Sequence, residues 1–123
     1  MTPGHRYDMP AILERIDDTT RIVCITNPNN PTGTCLGRRE LEEAIARIPE
    51  RCLIILDNAY EEYVSDPGNY LDGIQLALER GNMLVLRTFS KIHALAGLRV
   101  GYGVAEEEVI GWLNRVRPPF HLT

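Results

Sequence analysis

Three short apolar runs, each ending in a polar cluster and separated from the next by an amphipathic stretch, constrain this chain most. They are Ile22–Thr26, Cys52–Leu56 and Met83–Thr88, and their length and β-branched content read as buried strands. Between the first two, Leu41, Ala44, Ile45 and Ile48 fall at helical spacing, and Pro49 stops the helix. Between the second and third, a helix is expected around Asp72–Arg80, with Asp72 as cap and Gly81 as terminator. Leu98–Ala105 reads as a fourth strand interrupted by glycines. Glu106–Val116 reads as a closing helix whose N-terminal acids suit the macrodipole, ended by Pro118-Pro119. This alternation is the grammar of right-handed βαβ units, so the fold class is α/β with a mostly parallel sheet. Near-continuous apolar strands are those covered on both faces, and such cover is expected here.

The 123 residues amount to one ordinary domain. A net charge of −4 opposes binding to nucleic acid or an anionic membrane surface, so neither is expected as a partner. No apolar run approaches the ~20 residues of a bilayer span, and Met1–Pro10 lacks the apolar stretch of a signal peptide. Cys24, Cys35 and Cys52 show no metal-type spacing, so no metal is expected, and they read as reduced thiols of a cytoplasmic protein. Lys91 is the single lysine among thirteen basic residues, so any lysine chemistry has one address.

The polar clusters give the sheet its functional edge. Asn27–Gly33, Asp57–Tyr60 and Ser90-Lys91 each follow a strand's last apolar residue. In a parallel sheet those ends lie side by side, where open α/β sheets bind ligands. Asp57 after an apolar strand also suits the magnesium-coordinating strand of a P-loop NTPase, but the G-x-x-x-x-G-K-[ST] loop which that reading requires is absent. Gly97, Gly101 and Gly103 have the wrong order for a dinucleotide fingerprint. A plain turn cap for Asp57 and a solvated loop lysine for Lys91 remain the bland alternatives. Against them, a lysine beside a carboxylate suits a Schiff-base nucleophile, and an acid facing a pyridinium nitrogen is what pyridoxal phosphate needs. Tyr60 follows Asp57 closely enough to face the same ligand, and Ser90 with Arg99 offers the hydroxyl and cationic fork that hold a phosphate.

Four motifs then occur in order: Asn27-Pro28-Asn29-Asn30-Pro31-Thr32-Gly33, Asp57-Asn58-Ala59-Tyr60, Arg87-Thr88-Phe89-Ser90-Lys91 and Ala96-Gly97-Leu98-Arg99-Val100-Gly101-Tyr102. Together they resemble the fold-type I, class I/II aminotransferases that use pyridoxal 5'-phosphate, nearest to the histidinol-phosphate aminotransferase branch and its aromatic relatives. The resemblance implies a transaminase of amino-acid biosynthesis that moves an amino group between an amino acid, or histidinol phosphate, and a 2-oxo acid. It implies Lys91 as the Schiff-base lysine and proton-moving base, and Asp57 as the pyridinium partner. Tyr60 and Asn30 would bind the phenolic oxygen, Asn30 lying also near the substrate carboxylate, and Ser90 and Arg99 would bind the phosphate. Asn58 departs from the family's usual acid, and His121 from its usual asparagine; His5 and His93 have no matching role and read as surface residues.

The resemblance also implies that residues 1–123 are part of a larger cofactor-binding domain, the chain being a fragment of a homodimeric enzyme. An upstream phosphate-binding loop, a tyrosine lent by the partner subunit and a downstream domain with a carboxylate-gripping arginine would be missing. Two alternatives stand beside it: a decarboxylase of the same fold acting on threonine phosphate, and a non-catalytic regulator domain that senses the cofactor.

Overall fold

The computed structural model describes residues 4–119. Its elements run α1 (Met9–Glu14), β1 (Ile22–Thr26), α2 (Arg38–Arg47), β2 (Leu53–Asp57), α3 (Ile74–Arg80), β3 (Met83–Thr88), β4 (Gly101–Ala105) and α4 (Glu107–Val116). The strands form one four-stranded sheet in the order β1-β2-β3-β4. β1, β2 and β3 pair in parallel, with Thr26 opposite Asp57 and Asp57 opposite Leu86. β4 returns antiparallel to β3. The α/β class and mostly parallel sheet are therefore present.

Sequential strand order has a geometric consequence. Both crossovers step the same way along the sheet, and crossovers of one hand then place α2 and α3 on the same face. The core forms there: Val23 and Ile25 of β1, Ile54 and Leu56 of β2, and Met83 and Val85 of β3 pack with Leu41, Ala44, Ile45 and Ala77. Within residues 4–119 the expected cover on both faces is only partial, although Leu84 of β3 is buried on the face away from α2 and α3. On that same face Ile22 is 54% exposed, Cys24 is exposed, and Leu53 and Ile55 are half-buried. β1 and β2 therefore alternate in burial along their length, although their sequences do not alternate in polarity.

Glycines fix two close approaches. A Cβ on Gly101 would lie 2.7 Å from the Arg87 carbonyl oxygen, so the glycines that interrupt β4 let it press against β3. Gly73 adopts φ +77°, and a Cβ there would lie 2.6 Å from Leu56 Cδ2. α3 consequently starts at Ile74, later than the expected Asp72, while Asp72 Oδ1 still accepts from Ile74 N–H at 2.7 Å. Gly81 ends the helix at φ +76°.

α1 was not among the expected elements. Its six residues are too few for periodicity to show, yet Asp8 Oδ1 accepts from Ala11 N–H at 3.1 Å and Pro10 occupies its first turn. Tyr7, Ile12, Leu13 and Ile16 pack against the core from this side. Leu98, expected in the fourth strand, belongs instead to a 3-10 turn, Ala96–Leu98. None of the described helices is long and apolar enough to cross a membrane.

The two left-handed glycines separate backbone strain from steric overlap. Gly73→Ala meets both and should cost about 2–4 kcal/mol. Gly81→Ala, with nothing within 4 Å of the added Cβ, should cost only about 1–2 kcal/mol. Urea unfolding of the two variants beside the parent measures the difference; equal losses would refute the packing role of Gly73.

Candidate functional site

The site begins where β1 runs out of ladder. Asn27, fully buried, is the first residue past the strand, and its N–H donates to the Asp57 carbonyl at 2.9 Å. Its side chain closes the loop that follows: Oδ1 accepts from Leu36 N–H at 2.8 Å, and Nδ2 donates to Leu36 O at 3.3 Å. Its carbonyl accepts from Asn58 Nδ2 at 2.8 Å and from the Tyr70 hydroxyl at 2.9 Å. Buried backbone polar groups need such partners. Asn58 is fully buried, and its amide is the donor that the Asn27 carbonyl uses. An ionised acid at this position would have no hydrogen to give.

At the other strand ends, Asp57, Ser90, Lys91 and Arg99 line one hollow of about 560 Å³, with Thr88, Gly101 and Tyr102 around them. Asp57 shares a face of the sheet with Leu53 and Ile55, by the alternation of a strand. Its Oδ1 accepts from Ala59 N–H at 3.0 Å, which fixes the carboxylate at the turn. The turn cap is thus real, and it coexists with a place in the hollow. Ser90 N–H donates to Thr88 Oγ1 at 3.1 Å. Arg99 sits at φ +53°, and its Nη1 donates to Ala96 O at 2.8 Å.

Asn30 and Tyr60 border a second hollow, of about 380 Å³, together with Tyr63 and Asp66. Asn30 Nδ2 donates to the Tyr60 hydroxyl at 3.4 Å. Lys91 Nζ lies 5.1 Å from the Tyr60 ring centroid, a cation–π contact that links the two hollows. All six residues singled out from the sequence thus converge on one edge of the sheet. A primary amine, a carboxylate, a hydroxyl and a guanidinium around one hollow suit a ligand with a carbonyl, a basic ring nitrogen and a dianionic group.

Sequence reasoning missed several residues that build this edge. Arg87 pairs with Glu61 and lies 3.8 Å from Asp72, its side chain only 10% exposed. His93, read as a plain surface residue, is half-exposed but has a partner: its Nε2 lies 3.5 Å from Glu62 Oε1, and its ring packs against Phe89. His5 is exposed, and its carbonyl accepts from Thr34 Oγ1 at 3.4 Å. His121 lies outside the described residues. Asn27 stood inside a quoted motif, but nothing in its spacing showed that it carries the junction. The three thiols are free: Cys24 exposed, Cys35 half-buried and Cys52 buried.

Tyr70 offers a pH test of the junction. Burial pushes its phenol well above the usual tyrosine value, with the neighbouring Cys35, Asp72 and Glu62 adding to the shift and Asn58 opposing it. The folded pKa exceeds the unfolded one, so this contribution is complete below about pH 10 and is lost as pH rises beyond it. Tyr70→Phe should cost about 1 kcal/mol at neutral pH and flatten the alkaline fall in stability. Chemical denaturation between neutral and strongly alkaline pH measures both; an unchanged alkaline slope would contradict the assignment.

Comparison with known proteins agrees with this arrangement. The family model for aminotransferase class I and II matches residues 2–123. Histidinol-phosphate aminotransferase 2 of Carboxydothermus hydrogenoformans is 47% identical over 118 residues, which are 96% of this chain and 33% of that protein. The aromatic amino acid aminotransferase of Streptomyces avermitilis is 47% identical over 120 residues, 98% of this chain and 33% of that protein. The crystal structure of histidinol-phosphate aminotransferase from Sinorhizobium meliloti, in complex with pyridoxal-5'-phosphate, matches with a TM-score of 0.81 at 29% identity. It covers 93% of this chain and 31% of that one. The chain therefore spans about a third of the length of these relatives. With its fold, its four motifs and a family match over nearly every residue, the chain belongs to the aminotransferase class I and II family.

Proposed function

We propose that residues 1–123 are the cofactor-holding part of a pyridoxal-phosphate aminotransferase acting on histidinol phosphate or an aromatic amino acid, with a 2-oxo acid as the second substrate. The observation that carries this reading is the shared hollow of Asp57, Ser90, Lys91 and Arg99. The donor set fits the cofactor group by group. Lys91 would supply the amine that holds its aldehyde and, once the substrate's amino group had displaced it there, would be the free base for the proton at the α-carbon. The Asp57 carboxylate keeps the ring nitrogen protonated. Tyr60 and Asn30, already in contact, hold the phenolic oxygen. The Ser90 hydroxyl and Arg99 guanidinium hold the phosphate. When bound, the cofactor supplies an electron sink for the carbanion at the substrate's α-carbon.

The same reading sets a limit on this chain alone. The relatives it matches are about three times as long, and on one face of the sheet β1 leaves Ile22 and Cys24 exposed. With Ser90 and Arg99 as the phosphate ligands that residues 1–123 offer, weak cofactor binding and no sustained turnover are expected of this segment by itself. Poor positioning alone costs about a hundredfold in rate.

Borohydride reduction of the chain with pyridoxal phosphate should fix the cofactor's mass to the one peptide containing Lys91, and Lys91→Ala should abolish that label. Label confined to the α-amino group of Met1 would refute the reading. Asp57→Ala should leave the Lys91 label in place but weaken cofactor affinity about tenfold or more in an absorbance titration. Loss of a charge-assisted hydrogen bond is worth about 1.5–3 kcal/mol. Unchanged affinity would leave Asp57 as a turn cap only.

A further inference from the structure

The backbone ties the turn that carries Tyr60 to β3 at Asn58, whose N–H donates to Leu86 O at 2.9 Å. Beyond that point no backbone hydrogen bond among the described residues joins the turn to the loop that carries Lys91, yet the two side chains meet. β2 ends at Asp57 and β3 at Thr88, so both groups stand beyond the sheet ladder. Two pairs of charges span the gap. Arg87, on β3, reaches Glu61, the residue after Tyr60, and both side chains are largely buried, at 10% and 17% exposure. His93, two residues beyond Lys91, lies against Glu62.

We infer that Arg87 and Glu61 are positioning residues that hold the Tyr60 ring against Lys91. The inference rests on the aminotransferase reading for its functional meaning and on geometry for the contact itself. Arg87 is suited to the task because its strand is paired on both sides, and a guanidinium is a planar, directional fork. It also lies 3.8 Å from Asp72, the residue that caps α3, so the fork is braced from a second element. Its Nε is buried with no hydrogen-bond partner among the described residues. The exposed pairs Arg38–Glu42 and Arg39–Glu43 on α2 make the contrast. They join neighbouring turns of one helix and orient nothing beyond it. The more exposed His93–Glu62 pair, at 3.5 Å, adds a second tie between the segment after Tyr60 and the segment after Lys91.

The single lysine makes the contact directly observable. In the parent chain, the Lys91 ε-methylene protons should give one set of signals, shifted upfield by the Tyr60 ring and showing a nuclear Overhauser effect to its protons. The double variant Glu61→Gln/Arg87→Met removes both charges, so no lone buried charge is left behind. It should keep its circular dichroism but lose the Overhauser effect and the upfield shift. Borohydride trapping of pyridoxal phosphate on Lys91 should also slow about tenfold. Glu43→Gln, on the surface of α2, should change none of these. Should the double variant unfold, Arg87→Lys is read in the same way, since it keeps the charge and loses the fork. A folded variant with the Overhauser effect and ring shift intact overturns the inference, as does a parent chain that shows neither. Absence of cofactor label on Lys91 in the parent defeats the aminotransferase reading instead, and the Overhauser measurement still decides the positioning role.

Discussion

Everything at the functional edge depends on how β1 hands its chain to the loop beyond it. A strand leaving a sheet strands its backbone groups, and in a buried place they must find partners or cost about 1–3 kcal/mol each. Asn27 meets this demand from both ends. Its amide side chain pairs with both backbone groups of Leu36 and so closes the proline-rich loop, while its carbonyl takes donors from β2's turn and from Tyr70. Three separate segments are thereby held on one residue. The loop so closed delivers Asn30, and the turn so held delivers Tyr60, which is why these two side chains can touch.

Topology decides which way the site faces. Crossovers that keep stepping in one direction pile their helices on one side, and the strand ends then open toward the other. Asp57, in phase with Leu53 and Ile55, lies on the open side. Arg87, in phase with Met83 and Val85, lies on the helix side, where it reaches Glu61 and Asp72. One strand end thus offers its ligand-facing group outward, and the neighbouring strand offers its bracing group inward. A shift of register by a single residue would exchange the two faces and destroy both.

The strands, helices α2 to α4 and the gathering of polar clusters at one sheet edge were legible because each leaves a local pattern. Apolar runs, helical spacing, a cap or a glycine stop, and a polar cluster after a strand are written in contiguous residues. What was not legible depends on contacts between distant ones. Cover on both faces was inferred from apolar strands, but polarity records only what a strand tolerates; the placement of helices decides what it receives. The antiparallel turn of β4 carries no signal apart from its glycines, whose meaning is a close approach to Arg87 that only the paired strand reveals. Glu61 and Arg87 look like ordinary charges in sequence, and Asn27 like one of three similar asparagines. α1 was missed because a six-residue helix offers too few turns for its apolar face to repeat.

The segment from Phe89 to Val100 shows how the amine and the phosphate-side guanidinium come to act as a unit. Phe89 N–H donates to Val100 O at 3.2 Å, and its carbonyl accepts from Leu95 N–H at 3.1 Å, so the segment is closed at its neck and again within. Ala94 N–H returns to Lys91 O at 2.9 Å. Ala94 and Arg99 both adopt left-handed conformations, at φ +57° and +53°, which cost roughly 1–2 kcal/mol apiece for residues with a Cβ. Strain of this kind persists only where the surroundings over-determine it. Here the closing hydrogen bonds do so, and they fix Lys91 relative to Arg99 independently of the rest of the chain. The distance from Lys91 to Asp57 is set separately, by the β2–β3 ladder. The turn that carries Tyr60 is tied to β3 by Asn58 N–H, which donates to Leu86 O at 2.9 Å, so the ladder places its backbone, and the Arg87–Glu61 pair adds a side-chain tie one residue beyond Tyr60.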